Sequence, residues 1–130
     1  MSNKVTTKRR SFIGIDVSKE LLEVGVHQSV YHFRCPNDPQ NFPGLITELI
    51  SLRPARIVLE ATGGLERPLL QALHAAGLPV VVVNPRQVRD FAKALGILAK
   101  TDRLDARVLA HFAASIQPAI RPVKTQPETE

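Results

Sequence analysis

Three apolar runs rich in β-branched residues constrain the fold of this chain more than any other feature. They are SFIGIDV at 11–17, ARIVLEA at 55–61 and LPVVVVN at 78–84. Runs of this length and composition are typical of buried strands. The third run is apolar without alternation, which predicts an interior parallel strand that is covered on both faces. We therefore expect the chain to be built around a sheet that contains parallel strands.

Weaker patterns complete the predicted order of elements. LLEVGVH (21–27) and SVYHFRC (29–35) alternate, and the short link between them predicts an antiparallel hairpin. Apolar residues at helical spacing predict helices at 41–53, 62–77 and 85–95. A last helix is predicted to begin with Thr101 as its N-cap. The order β-β-β-α-β-α-β-α-α predicts an α/β fold, a mixed five-stranded sheet with helices on both faces.

The predicted domain boundaries follow from length and composition. A chain of 130 residues, 44% of them hydrophobic, is the size of one ordinary domain with a real core. We expect a basic N-terminal arm at 1–10, a catalytic domain at 11–116, and a linker or disordered tail at 117–130 that leads to a C-terminal domain absent from this sequence. A single cysteine and the lack of any membrane-length apolar run predict a cytoplasmic protein with no membrane partner.

The balance of charge is basic, with a formal net charge of +5 and a pI near 9.9. This favours a polyanionic partner such as nucleic acid. Basic side chains recur at helical spacing in the second half of the chain, and one lysine follows the first strand. The candidate nucleic-acid contacts are Lys19, Arg86, Arg89, Lys93, Lys100, Arg103 and Arg107. The alternative is a solvated helix face and, for Lys19, a solvated turn.

Acidic residues stand at the ends of two predicted strands and near the predicted last helix. Asp16 ends the first strand and Glu60 ends the strand at 55–61. If these strands are parallel neighbours, both carboxylates emerge at the same edge of the sheet, where ligands gather in such folds. Asp102 and Asp105 are three residues apart, so on a helix they would share a face. If that helix docks beside the strand ends, four carboxylates converge.

Such a convergence favours a divalent cation. Clustered carboxylates repel one another, and hard oxygen ligands select Mg²⁺ or Mn²⁺ over zinc. A pair of such ions suits phosphoryl transfer. The alternative is structural: Asp102 caps the helix, Asp105 pairs with Arg103 or Arg107 on a solvated face, and the strand acids are turn, surface or capping residues. The turn at 62–64, TGG, allows two interpretations as well, an anion-binding turn at a helix start or a plain tight turn.

The blocks FIGIDVSKE, IVLEATGG, VVVVNPRQVRDFAKALG and AKTDRLDARVLA together resemble the N-terminal domain of the DEDD transposases of bacterial insertion sequences, a group that includes the pilin-gene invertases. The resemblance runs from about Phe12 to Phe112. It implies a ribonuclease-H-like fold of the Holliday-junction-resolvase type. It also implies that four acids are catalytic metal ligands, namely Asp16, Glu60, Asp102 and Asp105.

The resemblance further implies a metal-dependent enzyme that cuts and joins DNA phosphodiesters, with Mg²⁺ or Mn²⁺ as cofactor. It implies DNA as a partner, a noncoding RNA made by the element, and homo-oligomers of the full-length protein. Family members continue into a second domain with a serine thought to attack DNA, and no serine here matches that motif. We therefore expect the fragment alone to be inactive in recombination.

Two other functions are compatible with the residue pattern. One is a non-catalytic nucleic-acid-binding module that uses only the basic residues. The other is an ATP-binding domain related to sugar and acetate kinases, which share the element order and a GID first strand. The segment DVSKE lacks the glycine-rich phosphate turn of those kinases. The chain is also too short for their second domain.

Overall fold

The computed structural model of the chain describes residues 10–97 and 104–121. The strands are β1 (Ser11–Val17), β2 (Leu21–Val26), β3 (His32–Pro36), β4 (Pro54–Glu60) and β5 (Val80–Val83). The helices within these ranges are α1 (Phe42–Ser51), α2 (Arg67–Ala75), α3 (Pro85–Ala94) and α4 (Ala106–Ile116), with a 3₁₀ turn at Pro39–Asn41 before α1. No helix in the described ranges is long and apolar enough to cross a membrane.

The strands form one mixed sheet in the order β3-β2-β1-β4-β5. β1 is antiparallel to β2 and parallel to β4, and β5 continues the parallel half. The predicted α/β class, mixed five-stranded sheet and hairpin are confirmed. The prediction that 78–84 is an interior strand is wrong, because β5 lies at the edge of the sheet. The strand is apolar because helices pack on both faces of the sheet at β5. Such packing does not require a neighbouring strand at each of its two edges.

Helices cover both faces of the sheet, as predicted. Leu45 and Leu49 of α1 and Leu69 and Leu73 of α2 pack on one face with Ile13, Ile15, Ile57 and Leu59. Val88 and Ala92 of α3 and Leu109 and Phe112 of α4 pack on the other face with Val58, Val81 and Val83. Each fully buried aliphatic side chain stabilises the fold by about 1.5–3 kcal/mol relative to its exposed state. The two apolar layers fix the position of the sheet and therefore of the residues at the ends of its strands.

Helix α4 lies directly on β1 because Gly14 has no side chain. A Cβ at Gly14 would lie 2.3 Å from Ala106 O and 2.4 Å from Ala110 N. At Gly25, the β2 partner of Gly14, a Cβ would lie 3.2 Å from the Cβ of Ala106. These two glycines let the helix backbone approach the sheet closely. The contact fixes where the first turn of α4 lies.

Two predicted helix starts are wrong. Residues 62–66 form a turn and α2 begins at Arg67, because a glutamate side chain closes the turn. The last helix begins at Ala106 with Asp105 as its N-cap, so Asp105 precedes the helix and the idea that it shares a helical face with Asp102 fails. Thr101, the predicted cap, lies outside the described residues, as does Asp102.

Candidate active site

Two of the predicted acids emerge together from the middle of the sheet. Ile15 pairs with Leu59 in the parallel ladder, so the next positions, Asp16 and Glu60, lie side by side on neighbouring strands. Both belong to the alternating set that includes Gly14 and Val58, which faces α4. Both residues are half-buried, and neither is without an interacting partner. The predicted meeting of the strand-end acids at one edge therefore agrees with the register.

A third acid lies in the same transverse row and was missed from the sequence. Glu23 on β2 is the direct register partner of Asp16, so its side chain leaves the same face of the sheet. Arg34 on β3 is in turn opposite Glu23, and Arg34 Nε lies 3.3 Å from Glu23 Oε2. The row therefore reads Arg34, Glu23, Asp16, Glu60 across four strands. The alternating pattern of 21–27 does not by itself show which face of the sheet carries Glu23. The pairing of β1 with β2 is needed to assign that face.

The start of α4 brings Asp105 to this edge of the sheet. Arg56 Nε donates to Pro118 O at 2.9 Å, which ties the end of α4 to the beginning of β4. Because the helix runs antiparallel to β1 and β4, its first turn lies toward their carboxyl ends. Asp105 is exposed, and its Oδ1 accepts a hydrogen bond from Val108 N at 3.0 Å. One carboxylate oxygen therefore caps the helix, and the other is not needed for capping.

The described residues contain only part of the predicted ligand set. Asp16, Glu60 and Asp105 are described, and Asp102 lies outside the described ranges. Within 10–97 and 104–121, no three side chains of His, Cys, Asp or Glu come together closely enough to hold a metal ion. The strand acids are adjacent, while Asp105 does not join them in a three-ligand group.

The donor chemistry at this edge fits a hard divalent cation. The candidate ligands are carboxylates on a rigid sheet and at a helix end, which are the oxygen ligands that Mg²⁺ and Mn²⁺ prefer. Like charges on adjacent strands are unfavourable without a counter-charge, which a cation would supply. Such a cation would polarise a phosphoryl oxygen and activate an oxygen nucleophile.

A buried glutamate organises the turn after Glu60. Glu66 is 8% exposed, and its Oε1 accepts hydrogen bonds from Thr62 N at 3.0 Å, Thr62 Oγ1 at 2.8 Å and Gly64 N at 3.3 Å. Burial acts to raise the pKa of Glu66, and the hydrogen bonds outweigh it and lower the pKa. The turn does bind an anion, and that anion is the side chain of the chain's own Glu66.

Five of the seven predicted nucleic-acid contacts lie within the described residues, on α3, in the β1–β2 turn and in the first turn of α4. Arg86 and Lys93 are exposed on α3 and Arg89 is half-buried there, with an interacting partner of its own. Asn84 caps α3 by accepting from Arg86 N at 2.8 Å, so the helix begins at the end of β5. Two further exposed cations complete the described set, Lys19 in the β1–β2 turn and Arg107 in the first turn of α4. Lys100 and Arg103 lie outside the described residues.

Comparison with known proteins identifies the protein family to which this chain belongs. A family model described as transposase, of the DEDD type of IS110 elements, matches residues 13–130. The chain belongs to this transposase family. The α/β architecture and the mixed sheet agree with the ribonuclease-H-like fold expected of it.

Individual relatives point the same way. The chain is 28% identical over 125 residues to the pilin gene-inverting protein of Moraxella lacunata, a match that covers 92% of this chain and 39% of the relative. The pilin gene-inverting protein of Moraxella bovis matches with the same identity and coverage. The chain therefore spans about two-fifths of the length of these curated relatives, at 39%.

Proposed function

We propose that this chain is the metal-binding catalytic domain of a DNA transposase or site-specific recombinase, and that it cuts and joins DNA phosphodiesters with Mg²⁺ or Mn²⁺. The observation that carries the proposal is the adjacency of Asp16 and Glu60 at the carboxyl end of parallel neighbours β1 and β4. Family membership favours this function over the kinase-like and purely DNA-binding alternatives.

In this proposal each acid has a defined task. Asp16 and Glu60 hold a cation against the sheet, and Asp102 and Asp105 complete its set of ligands. The rigid strands keep the first two carboxylates in place, so a scissile phosphate would meet a preorganised charge distribution. Glu23, held by Arg34, adds negative charge beside Asp16 without being required as a ligand.

The basic residues of α3 and α4 would hold the DNA backbone near this edge. Contacts of Lys and Arg with phosphates position a duplex without reading its sequence. We further propose that the intact protein works as a homo-oligomer with an element-encoded RNA and a second domain that supplies the attacking group. Tail residues 117–130 would link the two domains. The partial coverage of the relatives is compatible with such a second domain.

The test is a thermal melt of the protein with and without Mn²⁺. A ligand that binds the folded state at a concentration of about 100 times its Kd adds about 2.7 kcal/mol of stability. We expect this stabilisation in the wild type and its loss in Asp16→Asn and Glu60→Gln. Glu20→Gln, an exposed acid in the β1–β2 turn, is the matched control and should behave like the wild type. Equal Mn²⁺ shifts in Asp16→Asn and the wild type would refute the metal site.

A further inference from the structure

The turn between β4 and α2 has little conformational restraint of its own. Gly63 and Gly64 adopt φ values of +75° and +111°, and a Cβ at either position would meet nothing within 4 Å. Neighbouring side chains therefore do not restrain these glycines, and glycine itself has the greatest backbone freedom. Something else must hold the chain direction immediately after Glu60.

Two sets of hydrogen bonds supply that restraint. Ala61 N donates to Val83 O at 3.0 Å, which continues the β4–β5 ladder one residue past Glu60. From the next residue on, the Glu66 carboxylate takes over by binding both donors of Thr62 and the amide of Gly64. The backbone on the carboxyl side of Glu60 is thus fixed from Ala61 to Gly64.

The burial of Glu66 and its hydrogen bonds within the turn favour an indirect role over direct binding of a cation. Its side chain is turned back into the turn and is 8% exposed, the one buried charged side chain among the described residues. It occupies the N-cap position of α2 but makes no forward capping bond to that helix. Its side chain accepts hydrogen bonds from the preceding segment, Thr62 to Gly64, which follows Ala61 and the end of β4 at Glu60.

We propose that Glu66 is a positioning residue, which fixes the Glu60 carboxylate for cation binding by holding the Thr62–Gly64 turn. The inference rests on the proposed metal-dependent function. Residues that orient a metal ligand without touching the metal change metal affinity by about 10- to 100-fold when they are removed. Glu66 would act in a different way, through its hydrogen bonds to the backbone turn that follows the proposed ligand Glu60.

The experiment measures the Kd for Mn²⁺ of the intact protein by electron paramagnetic resonance, well below the melting temperature of every variant. Glu66→Ala should weaken Mn²⁺ binding by about tenfold, and Glu66→Gln, which keeps an acceptor oxygen, should restore most of the affinity. Leu49→Ala is the structural control, because Leu49 is a fully buried residue of α1, which packs on the face of the sheet opposite to α4. It should lower stability and leave the Mn²⁺ affinity unchanged.

The outcomes separate the two proposals. Wild-type protein that binds no Mn²⁺ refutes the metal site itself. Wild-type protein that binds Mn²⁺ while Glu66→Ala binds it equally well refutes only the positioning role. Should Glu66→Ala not fold, Thr62→Val removes the 2.8 Å donor alone. Weaker Mn²⁺ binding by that variant supports the role of Glu66, and unchanged binding overturns it.

Discussion

Asp105 caps α4 through Val108, whose backbone N–H donates to Asp105 Oδ1 at 3.0 Å. The same side chain is one of the four acids expected to bind a cation. Its backbone is extended, with φ −120° and ψ −178°, so the carboxylate lies outside the helix and beside its first turn. Capping and the proposed metal binding would therefore use one carboxylate, and substitutions can separate the two roles.

Asp105→Asn should keep the helix cap, because an amide oxygen still accepts from Val108 N, and should lose Mn²⁺-dependent stabilisation. Asp105→Ala should lose both, with the free energy of unfolding lowered by about 1 kcal/mol even without metal. Urea unfolding with and without Mn²⁺ measures both quantities. An Asn variant with the full Mn²⁺ effect would show that Asp105 is only a cap.

The close approach of α4 to the sheet predicts that Gly14→Ala is destabilising. The added methyl group would lie 2.3 Å from Ala106 O, so the helix must shift. Overpacking of this kind lowers stability by about 1–3 kcal/mol. Gly44→Ala is the matched control, because Gly44 is exposed in α1 and a Cβ there would meet nothing within 4 Å, so the variant should gain about 0.5–1 kcal/mol. Chemical denaturation of both variants checks the contrast in sign.

A pair of stacked histidines predicts a loss of stability in mild acid. The rings of His27 and His111 lie 4.9 Å apart, and burial, followed by the charge of His111, lowers the pKa of His27 below 6.5. The folded state therefore binds a proton at His27 less readily than the unfolded state, and stability should fall as pH drops from 6.5 toward the folded pKa. Melting temperatures of wild type and His27→Gln between about pH 7 and 5 test this. A variant with the same pH dependence as the wild type would exclude His27 as the cause.

The ion pair between Glu23 and Arg34 lies beside Asp16, and removing one charge or the other should change the Mn²⁺ affinity in opposite directions. Glu23→Gln removes a negative charge next to Asp16 and should weaken binding. Arg34→Gln removes the compensating positive charge and should strengthen it. Both side chains are largely exposed, at 42% and 65%, so we expect changes of at most about fivefold that shrink with added salt. Changes in the same direction would contradict an electrostatic origin.

The basic face of α3 predicts salt-dependent binding of duplex DNA. Arg86→Gln and Lys93→Gln should each weaken binding and reduce the slope of log K against log salt concentration by about 0.9. Arg53→Gln is the control, since Arg53 is an exposed cation just before β4, at the opposite edge of the sheet. Fluorescence anisotropy across a salt series measures the slopes. Equal effects of all three variants would indicate non-specific attraction by net charge.

The adjacency of the strand-end acids could be predicted, because acids that end two parallel neighbouring strands emerge at the same edge of the sheet. Asp16 and Glu60 needed only the assumption of parallel neighbours, which the register supports. The role of Asp105 was harder to predict, because a spacing of three residues fits both a shared helical face and a cap followed by its helix. The local sequence does not decide between them, while the extended backbone of Asp105 and its hydrogen bond from Val108 N show that it is the cap.

Glu66 and Glu23 were missed for different physical reasons. Glu66 stands at the start of an apolar helical pattern, and its burial depends on two glycines that let the turn fold back on it. A glutamate two residues after Gly-Gly is the local signal that could have indicated it. The face of the sheet on which Glu23 lies depends on the register of the hairpin, and a one-residue slip would place its side chain on the other face. The edge position of β5 depends on the whole topology, which the valine run cannot specify.

The direction of α4 affects the electrostatic repulsion between Asp16 and Glu60. A helix macrodipole places roughly half an elementary positive charge at the amino terminus. Because α4 runs antiparallel to β1 and β4, that end lies toward the carboxyl edge where Asp16 and Glu60 emerge. The helix backbone thus supplies a fixed electropositive field at the edge where the two acids emerge, which offsets part of their mutual repulsion.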